Sequence, residues 1–368
     1  MTRIRWPGLI VPLAFALAGC VTPEKKPLVD PSRIAFPLAE AGKLEIEGDI
    51  AGQPRARDGI VYLATREGWL TAVVVPAQAV LWRFKADHPI SSSPELAGEH
   101  ILLHDQGGIL YVLGRDGRPV LKKQIDDDVT TSVWEQGGRA YLGTAGGKIV
   151  VLDISGGEAQ VWESRSAAAL TAGPAFAGDL VIFGSKDGDI VALGPEGKRA
   201  WTFAARGAVD TCPGVADGRL FFGTKERFFY CLDAATGKKI WSRRLQGAPL
   251  HAPLIQGRQI IVAASNSVIY ILSRRGGSIL SWEAVPSRIV YEPALAGPLI
   301  LVSSAAGVLS AIDLRTGRRI GQHIASDPSV AGALWVPPFM TSFEEDAEHG
   351  WIKLVLYRSD AGASPGRR

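Results

Sequence analysis

Apolar residues along this chain come in short runs, and the runs recur on a schedule. One set consists of Ile60 to Ala64, Ile101 to His104, Leu180 to Phe183, Leu220 to Phe222, Ile260 to Ala263 and Leu299 to Val302. A second set follows the first after short polar breaks: Leu110 to Leu113, Ile149 to Leu152, Ile190 to Leu193, Phe228 to Leu232, Val268 to Leu272 and Val308 to Ile312. The runs have strand length and are rich in β-branched and aromatic residues, and no segment sustains a helical period. Turns such as Lys186-Asp187-Gly188-Asp189 and Ala216-Asp217-Gly218 lie beside them. The pattern predicts antiparallel strands joined by tight hairpins.

Glycines set the period. Gly117, Gly157, Gly197, Gly237, Gly277 and Gly317 stand forty residues apart, with Ala77 in the slot one period earlier. A parallel comb runs through Gly59, Gly98, Gly138, Gly178, Gly218, Gly257 and Gly297. Both are expected at positive φ in hairpin turns, where glycine carries no steric penalty. Pro54, Pro94, Pro174, Pro213, Pro253 and Pro293 mark strand starts, with Trp134 in the slot that lacks proline. Trp82, Trp162, Trp201, Trp241 and Trp282 follow the turn onto the outermost strand of each unit. There each ring is expected to wedge against the neighbouring unit and bury ~150 to 250 Å²; the alternative, a row of ligand-stacking rings, would place each ring on a different unit. Four strands per forty residues predicts a propeller blade. Seven such units fit between Gly52 and Ser326, and strand-like sequence remains at Lys43 to Ile46, Ala333 to Val336 and Ile352 to Tyr357. The expected fold is therefore all-β: an eight-bladed β-propeller of four-stranded antiparallel blades, closed by pairing of the N- and C-terminal strands, with seven blades as the alternative. Closure removes the sheet edges that invite aggregation.

Composition adds that 46% of the 368 residues are hydrophobic and 21% charged, which fits a folded chain and not a disordered one. The net charge of +3 includes Arg3 and Arg5 of the N-terminal segment. Without them the charge is too small for a nucleic-acid footprint. Residues 1–19 read as a signal peptide, with those arginines as the positive end, Leu9 to Ala18 as the apolar run and small residues before Cys20. The run Leu17-Ala18-Gly19-Cys20 looks like a lipobox, which makes Cys20 the expected lipidation site and the lipid the membrane anchor. Residues 20–40, rich in Pro and Lys, read as a tether, 41–360 as the propeller and 361–368 as a disordered tail.

The unit Cys231-Leu232-Asp233-Ala234-Ala235-Thr236-Gly237-Lys238-Lys239-Ile240-Trp241 resembles the PQQ-like propeller repeat, and Ala311 to Ile320 echoes it. With the lipobox, tether and length, the chain resembles the BamB family of outer-membrane assembly lipoproteins. That resemblance implies a non-catalytic scaffold at the periplasmic face of the outer membrane, working with the barrel-assembly subunit that carries POTRA domains. By resemblance to enterobacterial lipoproteins, the absence of Asp after Cys20 favours the same outer-membrane sorting. Family members carry a long loop between two central blades that contributes to binding that subunit; connections such as Ala205 to Ala208 are short here, so no contact residues carry over. The alternatives are a ligand-binding or sensory propeller and, third, a PQQ-dependent dehydrogenase. Such quinoproteins often carry adjacent cysteines near the cofactor, whereas Cys20, Cys212 and Cys231 are isolated, and no cofactor is expected.

The residues before each proline register face one end of the central channel. Ser92, Ser132, Asp210, Thr211, His251, Tyr291 and Glu292 are therefore the candidate binding surface, against the simpler reading that they solvate a channel mouth. His100 and His104 could share a strand face but lack a third ligand of matching spacing, so no metal site is expected. Asp126-Asp127-Asp128 reads as a solvated connection in preference to a cation site. Cys212 and Cys231 are assigned to positions two strands apart, about 9.6 Å, beyond the roughly 7 Å limit between Cα atoms in a disulfide, and are expected to be unbridged.

Overall fold

The computed structural model describes residues 38–154, 160–325, 327–346, 349 and 351–358. They form eight four-stranded antiparallel sheets, the blades of a β-propeller. Blades 1 to 7 are single segments: 55–85, 95–124, 134–165, 170–204, 214–244, 254–284 and 294–324. Blade 8 takes Ser329–Val336, Phe339–Asp346 and Trp351–Arg358 from the C-terminal end, and Ala39–Glu47 completes it as the outermost strand. Lys43 pairs with Val355, Leu44 with Leu354 and Ile46 with Ile352, which is the expected closure. This strand begins inside the stretch read as tether, and Phe339–Asp346 is a strand the sequence pattern did not reveal. The leader at 1–19, Cys20 and the tail at 361–368 lie outside the described residues.

The first strands of neighbouring blades touch one another, as Arg55–Arg57 does with Glu95–Ala97 and Ser329–Val336, so they line the axis. Second and third strands are packed on both faces between neighbouring blades and read as continuous apolar runs, such as Ile60–Ala64. Outermost strands such as Lys239–Arg244 alternate instead, because one face meets water. Apolar packing is thus distributed over the blade boundaries. One cluster joins Leu70 and Tyr62 of blade 1 to Leu103 and Tyr111 of blade 2; another joins Phe222 and Tyr230 of blade 5 to Ile190 of blade 4.

The two combs interlock. Gly237 turns at φ +70° and Gly218 at +68°, a region that side chains with a Cβ rarely enter. A Cβ on Gly237 would lie 2.6 Å from the ring of Trp201 on the preceding blade, and Trp82, Trp162 and Trp241 cover Gly117, Gly197 and Gly277 in the same way. The indole N–H of Trp201 also donates to the Ala234 carbonyl at 3.2 Å, and that of Trp82 to the Arg115 carbonyl at 2.8 Å. Tryptophan recurs because glycine leaves room for it one blade on. Three slots differ from expectation. In blade 1 the positive-φ position is Gln78 (φ +50°), not Ala77. The proline slot of blade 3 is filled by Val133, immediately before the strand Trp134–Gln136, so Trp134 is the first strand residue. Trp282 does not wedge: Ser281 takes the slot opposite Ile271, and Trp282, one residue further, is 61% exposed. A one-residue shift moves a strand side chain to the other face.

Candidate functional site

Inter-blade connections deliver the residues before each first strand to one end of the axis, where polar groups join different blades. Gln53 holds blade 8 to blade 1: its Nε2 donates to the Gly332 carbonyl and its Oε1 accepts from the Gly332 N–H, both at 3.0 Å. Its own N–H donates to Ser93 Oγ of the blade 2 connection at 2.8 Å. Arg55 is the hub. Its Nη1 donates to Glu292 of blade 7 at 2.9 Å, and its Nη2 lies 3.3 Å from Glu95 of blade 2. Reaching past blade 8 to blade 7 is possible for one side chain only near the axis.

Burial works against the Arg55 charge, but the two carboxylates outweigh it and its pKa is raised. Glu95 is buried, and desolvation lifts its pKa despite Arg55 and the nearby Ser132 hydroxyl, which pull it down. Cys212 of blade 5 lies 4.0 Å from Ser132 Oγ of blade 3 and donates to the Gly173 carbonyl of blade 4 at 3.5 Å. Desolvation raises its pKa as well.

Of the residues singled out from sequence, Ser132 and Glu292 join this girdle. Ser92 donates to the His104 carbonyl at 3.0 Å and lines a recess of about 330 Å³ with Ser93, His104, Thr130, Thr131 and Ser132. Tyr291 donates its hydroxyl to the Ser329 carbonyl and ties blade 7 to blade 8. Thr211 Oγ1 and His251 Nε2 are buried without a hydrogen-bond partner among the described residues. Burial lowers the His251 pKa, with Glu292 pulling the other way. Asp210 pairs with Lys225 in the same blade. Arg55 and Glu95 were missed because they follow the proline slot. The signal was a charge where later repeats carry Gly214, Leu254 and Ala294.

Other candidates resolve into structural roles. His100 and His104 end one strand and are roughly 13 Å apart along it, too far to share an ion. Asp127 accepts from Thr144 Oγ1 at 2.7 Å, from Gly146 N–H at 3.0 Å and from Asp128 N–H at 2.8 Å, which orders the connection and lowers its pKa, the Thr144 bond most. Cys212 and Cys231 are free thiols.

A family model described as outer membrane protein assembly factor BamB matches residues 37–160, 158–227 and 186–342. The chain belongs to the BamB family. A BamB of Burkholderia pseudomallei is 30% identical over 101 residues, which is 27% of this chain and 26% of that protein. The crystal structure of BamB from Moraxella catarrhalis superposes with a TM-score of 0.72 at 19% identity, covering 87% of this chain and 99% of that one. The computationally designed Ika8 protein reaches 0.76 at 16% identity, covering 86% and 99%. A designed propeller matches as well as a natural BamB, so these superpositions speak for the fold alone. The girdle does not fit a pyrroloquinoline quinone with its calcium ion. The Arg55 guanidinium that would face an acidic cofactor is already held between Glu95 and Glu292, and among the described residues no three His, Cys, Asp or Glu side chains group to hold a metal ion.

Proposed function

We propose that this chain is a non-catalytic, lipid-anchored scaffold at the periplasmic face of the outer membrane, where it serves β-barrel protein assembly beside the subunit that carries POTRA domains. The family match across residues 37–342 carries the reading. The girdle supports it: Arg55, Glu95, Glu292, Ser132 and Gln53 spend their polar groups on holding blades together. A scaffold offers exposed loops on a rigid ring and works through clusters of contacts.

The test is affinity isolation of the full-length chain from detergent-solubilised envelopes. The barrel subunit should co-isolate with the chain carrying Cys20, and Cys20→Ser should abolish labelling by a radioactive fatty acid. Isolation of the chain without that subunit, together with saturable alcohol-oxidase activity on addition of quinone and calcium, would overturn the proposal.

A further inference from the structure

The turns joining first to second strands and third to fourth strands lie at the end of each blade opposite the inter-blade connections. On that face, between blades 5 and 6, a recess of about 540 Å³ is lined by Asp217, Arg219, Arg258, Ser273, Arg274 and Arg275. Arg219 opens the second strand of blade 5, and its Nη1 donates to the carbonyls of Arg274 at 3.2 Å and Arg275 at 3.4 Å. Arg274 crosses back to pair with Asp217 of blade 5, and its side chain is 23% exposed. Two guanidiniums are thus fixed by the blade boundary. Those of Arg258 and Arg275 make no hydrogen bond or ion pair to a described residue.

Arginine stays protonated at any physiological pH, so four cations line one recess against a single lining carboxylate, Asp217, with Asp233 as the cross-strand neighbour of Arg219. Concentrating like charges in a concave site raises the local potential and costs self-repulsion, which a bound anion relieves. The guanidinium fork matches the oxygens of a phosphate-type anion two at a time. The neighbouring recess, about 460 Å³, adds Arg315 beside Gln256 and Gln259 and prolongs the basic sector onto blade 7.

We infer that the recess between blades 5 and 6 binds a phosphate-bearing anion, with Arg258 and Arg275 as its mobile forks and Arg219 and Arg274 as its fixed floor. The site lies away from the channel girdle and does not depend on the scaffold reading.

A ligand that binds only the folded state raises the melting temperature. Full-length chain in a neutral detergent is titrated with inorganic pyrophosphate at constant ionic strength, with sodium chloride as the reference. The expected result is a saturable rise with pyrophosphate and none with chloride. Arg258→Ser combined with Arg275→Ser should weaken the apparent affinity at least about tenfold, while the melting temperature without ligand serves as the folding control. Monomeric dihexanoyl phosphatidic acid distinguishes the source: tighter binding than pyrophosphate identifies a lipid headgroup, and equal or weaker binding identifies a soluble phosphate, either of which supports the inference. Equal shifts with chloride, unchanged affinity in the double variant, or saturation by a tri-glutamate peptide but not by either phosphate would overturn it.

Discussion

Trp201 and Gly237 meet across the boundary between blades 4 and 5, where the ring occupies the space that a Cβ would need. Removing the ring leaves a void at a blade boundary, so Trp201→Ala should cost about 3 kcal/mol. Gly237→Ala forces a side chain into a positive-φ turn at +70° and against the ring, at about 1 to 3 kcal/mol. The double variant should cost less than the sum, because the clash disappears with the ring. Trp282→Ala, on the exposed face, should stay within about 0.5 kcal/mol. Urea denaturation of the four variants reads all of this. Costs of the boundary pair that add to within about 0.5 kcal/mol would mean the two residues act independently. Spacing alone did not separate the tryptophans: Trp201 and Trp241 follow their glycines by four residues and Trp282 by five, but Trp162 also follows Gly157 by five and still covers Gly197.

At the scale of the element, the strand Ala39–Glu47 carries the closure. Leu44 and Ile46 alternate with Glu45 and Glu47, and Ile46 is buried with Ile352, Leu354 and Val61. Deleting 39–47 from the full chain would leave Trp351–Arg358 as an open edge beside an uncovered apolar cluster. The expected outcome is a lower melting temperature and concentration-dependent association in size-exclusion chromatography. A monomer with unchanged melting temperature would show that seven complete blades close without it. The strand Phe339–Asp346 escaped the sequence pattern because it buries polar groups: Glu344 is 2% exposed and accepts hydrogen bonds from Tyr357 and Ser342, both at 2.7 Å. An acidic run reads as solvent-facing until the partner strand supplies its donors.

For the whole ring, acid sensitivity follows from its histidines. Burial holds the pKa of His104, His251 and His323 below the ordinary imidazole value, with Asp105, Glu292 and Glu344 respectively opposing it. The unfolded chain binds these protons near pH ~6.5 and the folded chain only lower. Their stabilising contribution is therefore complete above that pH and is lost as pH falls through the depressed folded values. His104→Asn should flatten the fall in the urea midpoint between about pH 6.5 and 5. Glu95 has the opposite sign: its folded pKa is raised, so its contribution is complete below about pH 4.3 and is lost as pH rises through the raised value. An H104N midpoint curve that overlays the parent across this range would refute the assignment of His104 to the acid loss.

Eight blades and the closing pair came from counting leftover strand-like runs, with seven blades still open, and the pairing of Ala39–Glu47 with Trp351–Arg358 decided it. Strand length, turn glycines and the forty-residue period were written locally, since each repeat states its own hydrophobic pattern and turn chemistry. The girdle and the arginine recess were not. Arg55 and Glu292 are 237 residues apart, and Arg219 and Arg274 are 55 apart. A repeat fixes where a side chain stands within its blade, but which side chains face each other depends on the angle between blades and on closure of the ring. Those are set by packing at all the blade boundaries together, and only the folded molecule brings these charges within hydrogen-bond reach.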